Sequence, residues 1–286
     1  MRIHLYAACW NDRPMLPFFI RHYACAERVV VYDDHSSDDS ASYLTQIPHV
    51  ECRTLERRAS GSTIESLRQL HNECWKESRG QADWVIVVAV DEHTVHHNLP
   101  AYLADCQRAG VTIVPAVGYE MVSATFPGDD QSLSETVRRG VLFEPQHRVA
   151  IFQPDAIDEI HFSAGRHKAS PAGRVCYPAV DEVRLLHFKH LGLDYVLART
   201  AELATGLQSV DRNQQYGFHW LRTRAAIEAD FADLLDMARE VDLTSPFGLD
   251  GWALRWWRRQ RPWYMRYWDR RRYARALAAV TYRPGG

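Results

Sequence analysis

Residues 84–93 read WVIVVAVDEH, seven apolar residues followed at once by two acids and a histidine. A run apolar on both faces and rich in valine reads as a strand buried between layers of helices. Its abrupt polar end marks the strand's carboxyl edge. Working outward, residues 3–9 (IHLYAAC) and 28–32 (RVVVY) read as two further strands. The first stops at Trp10, Asn11 and Asp12, the second at DDHSSDDS. Residues 50–55 and 111–117 supply two more. Helical spacing fills the gaps at 14–23, with Pro14 in a tolerated first-turn position, at about 40–46 and at 63–77. Strand and helix alternate, which predicts an α/β fold with a mostly parallel sheet, helices on both faces and right-handed crossovers. Residues 121–180, rich in Pro and Gly, read as irregular, and 193–205 and 222–240 as helices.

The bulk numbers fit that reading. A chain of 286 residues with 46% hydrophobic and 24% charged residues can bury a real core. The formal charge of -2 is uninformative, but its distribution is not. From Asp250 onward ten Arg face two Asp, so the tail carries +8 and the preceding residues -10. Six cysteines lie scattered with no CxxC or other metal-ligand spacing, so reduced thiols are expected. The first residues (MRIHLYAACWNDR) show no signal-peptide pattern, and the longest apolar run is far short of the roughly 20 residues of a membrane span. A cytoplasmic protein is the expectation.

In open parallel sheets, ligands bind beyond the carboxyl ends of the strands. Three strand ends carry polar groups there: Asn11-Asp12, Asp33-Asp34 and Asp91-Glu92-His93. Converging acids are costly unless something positive sits among them. A divalent cation bridging a diphosphate is one solution, because hard cations take carboxylate and phosphate oxygens. Solvated acids that cap helices are the alternative, and Asp38 and Asp39 suit it better than Asp91 does.

The order IHLYAACWND, RVVVYDDHSSDDS, ADWVIVVAVDEH resembles the GT-A glycosyltransferases of family 2, above all a bacterial subgroup with motifs of the form NE, HY, DNSSD and DWV…DADEF. IFQPDAIDEIHFSAGRHKASPAGRV, LLHFKHLGLDYVLAR and YGFHW continue the resemblance, which covers about residues 3–220. It implies a Rossmann-like GT-A catalytic domain over 1–220, with a nucleotide-sugar half (about 1–120) and an acceptor half (about 121–220), followed by a C-terminal helical extension (221–286). It implies a hexosyltransferase-type enzyme of bacterial glycan or polysaccharide biosynthesis, inverting, using Mn2+ or Mg2+. Its partners would be a nucleotide-diphosphate sugar donor and a carbohydrate or lipid-linked acceptor.

Carried over by residue, Asp33 and Asp34 would hold base and ribose, and Asn11 and Asp12 would line the same pocket. Asp91 would be the last acid of a metal-binding DxD, followed by Glu92, with His187 completing the site. The first DxD acid is absent, since Ala89 stands in its place. Arg166 and Lys189 would neutralise the leaving diphosphate, and His167 would serve metal or acceptor. The general base would be Glu120 or Asp158, the latter paired with Glu159.

Residues 252–273 (WALRWWRRQRPWYMRYWDRRRY) combine five Trp with many Arg. That suits a membrane headgroup zone, hence a peripheral place on the inner membrane face; the alternative is a segment whose Trp pack on the catalytic domain. No nucleic-acid recognition motif accompanies the charge, so no nucleic-acid partner is expected. A second functional reading is a non-catalytic nucleotide-sugar or carbohydrate-binding relative with a degenerate DxD. A sugar-nucleotide pyrophosphorylase is disfavoured, because no Gly-rich phosphate loop follows the first strand.

Overall fold

A computed structural model of the chain describes residues 1–57, 61–244 and 256–259. The first half alternates as predicted: β1 (Ile3–Cys9), α1 (Leu16–His22), β2 (Arg28–Asp33), α2 (Ser40–Leu44), β3 (Val50–Thr54), α3 (Thr63–Glu73) and β4 (Trp84–Ala89). These strands lie side by side in the order β3-β2-β1-β4, all parallel. The apolar faces of β1 and β4 explain why they are central: Leu5, Tyr6, Val85, Ile86, Val87 and Val88 are fully buried. Helix α3 opens on Ser62, whose hydroxyl accepts the Glu65 N–H, and it gives way after Glu73 to a 3-10 turn, Cys74–Ser78.

After β4 the chain turns at Asp91 into β5 (Glu92–Val95), then runs through α4 (Leu99–Arg108) into the long β6 (Ile113–Ser123). The stretch expected to be irregular is more ordered than its composition suggests. It holds α5 (Leu133–Thr136), β7 (Arg139–Leu142), β8 (Arg148–Phe152), β9 (Ile157–Glu159) and β10 (Ala172–Gly173), followed by β11 (Val183–Leu191). Strand β8, the RVAIF run, inserts between β4 and β6 and is antiparallel to both. It is buried on both faces, so it lacks the alternation that would have announced it. Of the ten strands of the main sheet only β5, β7 and β8 oppose the rest. The sheet is therefore mixed and mostly parallel, with β11 parallel to β6 and antiparallel to β5.

Helices α6 (Leu193–Gly206), α7 (Ser209–Asn213) and α8 (Arg224–Met237) follow, and β12 (Arg239–Glu240) pairs with β7. No helix among the described residues is long and apolar enough to cross a membrane. Of the aromatic and basic tail, only 256–259 falls within the described residues; there Trp256 and Trp257 are buried against the core formed by Tyr6, Val85, Val87 and Phe152. The other tail residues, with their expected membrane contact, lie outside the described ones. All six cysteines are free thiols.

Candidate active site

Strands β1, β2 and β4 deliver their polar ends to one edge of the sheet, with Cys9 in register with Asp33 and Ala8 with Ala89. The converging acids are not left uncompensated. The Arg199 guanidinium of α6 meets Asp12 Oδ1 at 2.6 Å, and Arg57 meets both oxygens of Asp34 at 2.7 and 2.9 Å. Burial nevertheless dominates at Asp12 and lifts its carboxyl to about 6 against the Arg199 charge. Asn11 sits in the left-handed region at φ 52 and ties the DDHSSDDS turn to α6: its Oδ1 accepts the Ser37 N–H at 2.7 Å, and its Nδ2 donates to Glu202 at 2.8 Å. Asp33 Oδ2 accepts the Ser36 N–H, while its Oδ1 is buried with no hydrogen-bond partner among the described residues. Beside these groups lies a cleft of about 200 Å³, lined by Trp10, Asp12, Asp34, Arg57, Arg199 and Trp220, among others.

At the end of β4 the geometry is different. His187, on β11, stands between two carboxylates: Nε2 is 3.1 Å from Asp91 Oδ2, and Nδ1 is 2.9 Å from Glu120 Oε2. Burial alone would lower the imidazole's pKa, but the charges of Glu120 and Asp91 outweigh it and lift it to about 10. His187 returns the favour: against burial, it holds both Asp91 and Glu120 below the usual carboxylate range, with His190 adding to its effect on Glu120. Gln146 donates to Glu120 at 3.0 Å, and His190 approaches the same carboxylate at 3.4 Å. The Asp91 charge reaches both Asp12 and Arg199, which joins this cluster to the cleft.

Glu92 points away from the edge into the protein. Arg166 Nη2 lies 2.6 Å from its Oε2, Arg148 Nη1 3.2 Å from its Oε1, and the Ala89 N–H donates to it at 3.0 Å. All three side chains are at least 94% buried. The two guanidinium charges overcome burial and keep Glu92 well below the usual range. Arg166, at φ 56, spends its other nitrogen on the Val87 carbonyl.

The remaining candidates are dispersed. His167 is exposed and its Nδ1 bonds the Pro145 carbonyl at 2.8 Å. Lys189 lies two residues beyond His187; burial lowers the pKa of both His190 and His219, and the Lys189 charge adds to the effect. Asp158 is exposed on β9, at the end of the sheet where β4 begins, and Arg79 binds its carbonyl there. Its neighbour Glu159 pairs with Lys76 at 2.7 Å.

The structure therefore brings Asp91, His187 and Glu120 together and leaves Asp158, which the sequence offered as a base on a par with Glu120, at the opposite edge. The sequence reading missed Arg57, Arg148, Gln146 and Arg199. One signal was available: an Arg opening the apolar RVAIF run is a charge aimed into a core, and such a charge needs a buried acid.

No family model matches the sequence, and comparison with curated proteins finds no match. Among solved structures, the chain is similar to residues 1–349 of S. aureus TarS at 13% identity and a TM-score of 0.39, over 72% of this chain and 65% of that one. The same TarS fragment in complex with UDP-GlcNAc aligns at 13% identity and 0.38, over 82% and 72%. Glucosyl-3-phosphoglycerate synthase from Mycobacterium tuberculosis, with Mn2+, UDP and glucosyl-3-phosphoglycerate, aligns at 14% and 0.29, over 42% and 44%. The chain thus spans just under two thirds of the first of these proteins and under half of the last.

Proposed function

We propose that this chain is a GT-A glycosyltransferase that moves a sugar from a nucleoside diphosphate sugar to an acceptor hydroxyl, with Mn2+ or Mg2+ held by Asp91 and His187. The observation that carries the reading is the line Asp91–His187–Glu120 beside the cleft of Asp12 and Asp34. Adjacent ligands at about 2.1 Å on an octahedral ion lie about 3.0 Å apart. Asp91 Oδ2 and His187 Nε2 are 3.1 Å apart. Glu120, on the far ring nitrogen, is the carboxylate that orients a metal-binding histidine. No group of three or more His, Cys, Asp or Glu among the described residues is arranged to hold a metal, so two protein donors would share the ion with diphosphate oxygens and water. Bound there, the cation would neutralise charge on the departing diphosphate.

Glu92 leaves the ligand set in this proposal and becomes its foundation. Its oxygens belong to Arg148, Arg166 and the Ala89 N–H, which fixes the turn that presents Asp91. The cleft takes the nucleoside: Asp34 is held in place at its wall by Arg57, and Trp10 and Trp220 offer apolar walls, while Asp33 is buried and is not among the lining residues. Of the two acids expected as base, Glu120 is beside the site and Asp158 is not. The proposal therefore gives Glu120 the acceptor proton, in a direct, inverting displacement. Arg166 is spent on Glu92, which removes it from the groups that would neutralise the diphosphate.

A second reading, a non-catalytic nucleotide-sugar binder, draws on Ala89 in place of the first DxD acid. One experiment separates the two. Incubation with UDP-, GDP- and dTDP-sugars and Mn2+ is expected to release nucleoside diphosphate from one of them. Tight nucleotide binding with no cleavage of any donor, acceptors supplied, would leave the binder.

A further inference from the structure

The segment Gln146–His147–Arg148 braces the site from behind. Gln146 donates to Glu120 and lies 2.9 Å from His187 Nδ1, and Arg148 holds Glu92. The backbone at His147 is extended, so its side chain points opposite to those of its two neighbours. The segment lies flush on β6: Gly118 N–H donates to His147 Nδ1 at 3.0 Å, and a Cβ at Gly118 would overlap the Gln146 backbone. On the rear of this brace sits the tail. Trp256 Nε1–H donates to the His147 carbonyl at 2.8 Å, and the Trp257 ring lies 6.0 Å from the His147 ring. Trp257 Nε1–H donates at 3.2 Å to Asp181, just before β11, the strand that carries His187. Trp256 is 8% exposed and Trp257 is fully buried.

We propose that Trp256 and Trp257 are positioning residues: the indoles clamp the brace and the root of β11 from the back, and so set Gln146, Glu120 and His187 at the front. These two residues of the C-terminal stretch then support the site from behind. This inference rests on the transferase reading for its kinetic consequence only.

The test compares Trp256→Phe and Trp257→Phe, which keep an aromatic ring and lose the N–H, with Tyr6→Phe. Tyr6 lies in the same core but bonds Ser78 and Glu77, away from the brace. In histidine-labelled full-length protein, the ring NMR signals of His187 are expected to shift or broaden in both Trp variants and to stay put in Tyr6→Phe at similar loss of Tm. Donor cleavage is expected to lose about tenfold in kcat with KM unchanged, the rate equivalent of about one misplaced hydrogen bond. Unchanged His187 signals in both folded Trp variants would overturn the clamp. If the wild type cleaves no donor, the transferase reading fails while the NMR comparison still decides this one.

Discussion

The edge of the first three parallel strands and the end of β4 handle charge in opposite ways. At the first, Asp34 is met by Arg57 and Asp12 by Arg199 and the Trp10 N–H, and both acids border an open cleft. At the second, Glu92 is buried and takes several donors, from Arg148, Arg166 and the Ala89 N–H. A carboxylate with a single charged partner at a cleft wall can be shared with a ligand. One locked on several sides serves as a frame, and breaking it leaves uncompensated buried charge. Asp91 lies between the two regimes: among the described residues its side chain has one partner, His187, and it is 30% exposed.

The sharpest way to break the comparison is Glu92→Gln. Two buried guanidinium groups would lose their counter-charge, and a loss of about 3–5 kcal/mol in urea unfolding is expected. A loss below about 1 kcal/mol would mean that Glu92 is no frame. The same carboxylate fixes a pH dependence. Because its folded pKa lies below the ordinary 4.5, the stability it contributes is present above that value and is lost as pH falls below it. Acid unfolding of the wild type should therefore be steep below about pH 4.5, and Glu92→Gln should flatten that slope.

Asp91→Asn acts on function instead. Donor turnover is expected to fall about 10²- to 10³-fold, the range for one removed electrostatic contact, with Tm nearly unchanged. Near-normal turnover would sink the role of Asp91. Weaker effects are expected at the cleft. Arg57→Ala frees Asp34 and should weaken UDP binding by about tenfold, leaving kcat at saturating donor within about twofold. Unchanged affinity would place the nucleoside elsewhere. Smallest of all, Lys76→Ala, which removes a surface pair with Glu159 near Asp158, should cost under about 1 kcal/mol and leave turnover alone. A large loss of turnover there would bring Asp158 back as the base.

Much of this arrangement was legible in the residues. β1, β2 and β4 declare themselves as apolar runs with polar ends, because strands covered on both faces leave no other pattern. Asp91, Glu120 and His187 were all marked, and the structure joins them. Pairing across the sheet was not legible. Nothing local says that residues 148–152 insert between β4 and β6, and that insertion brings Arg148 to Glu92. The role of Glu92 depended on the same long-range fact: next to Asp91 in sequence, it points inward because an alternating backbone sends neighbours to opposite sides. Arg199 escaped for a like reason, since it lies 187 residues from Asp12, and Arg57 reaches Asp34 only because β3 lies beside β2.

The central claim is that Asp91 and His187 together form a cation site. Titration of the full-length protein with Mn2+ in the presence of UDP, by calorimetry in buffers of different ionisation enthalpy, tests it directly. Glu120 and Asp91 raise the His187 pKa to about 10 against burial, so a cation on its Nε2 would displace a proton, and affinity is expected to rise with pH through neutrality. Wild type is expected to bind with release of about one proton, and Asp91→Asn and His187→Gln each to bind at least about tenfold more weakly. Wild-type affinity in both variants, or binding with no proton release, would contradict the account.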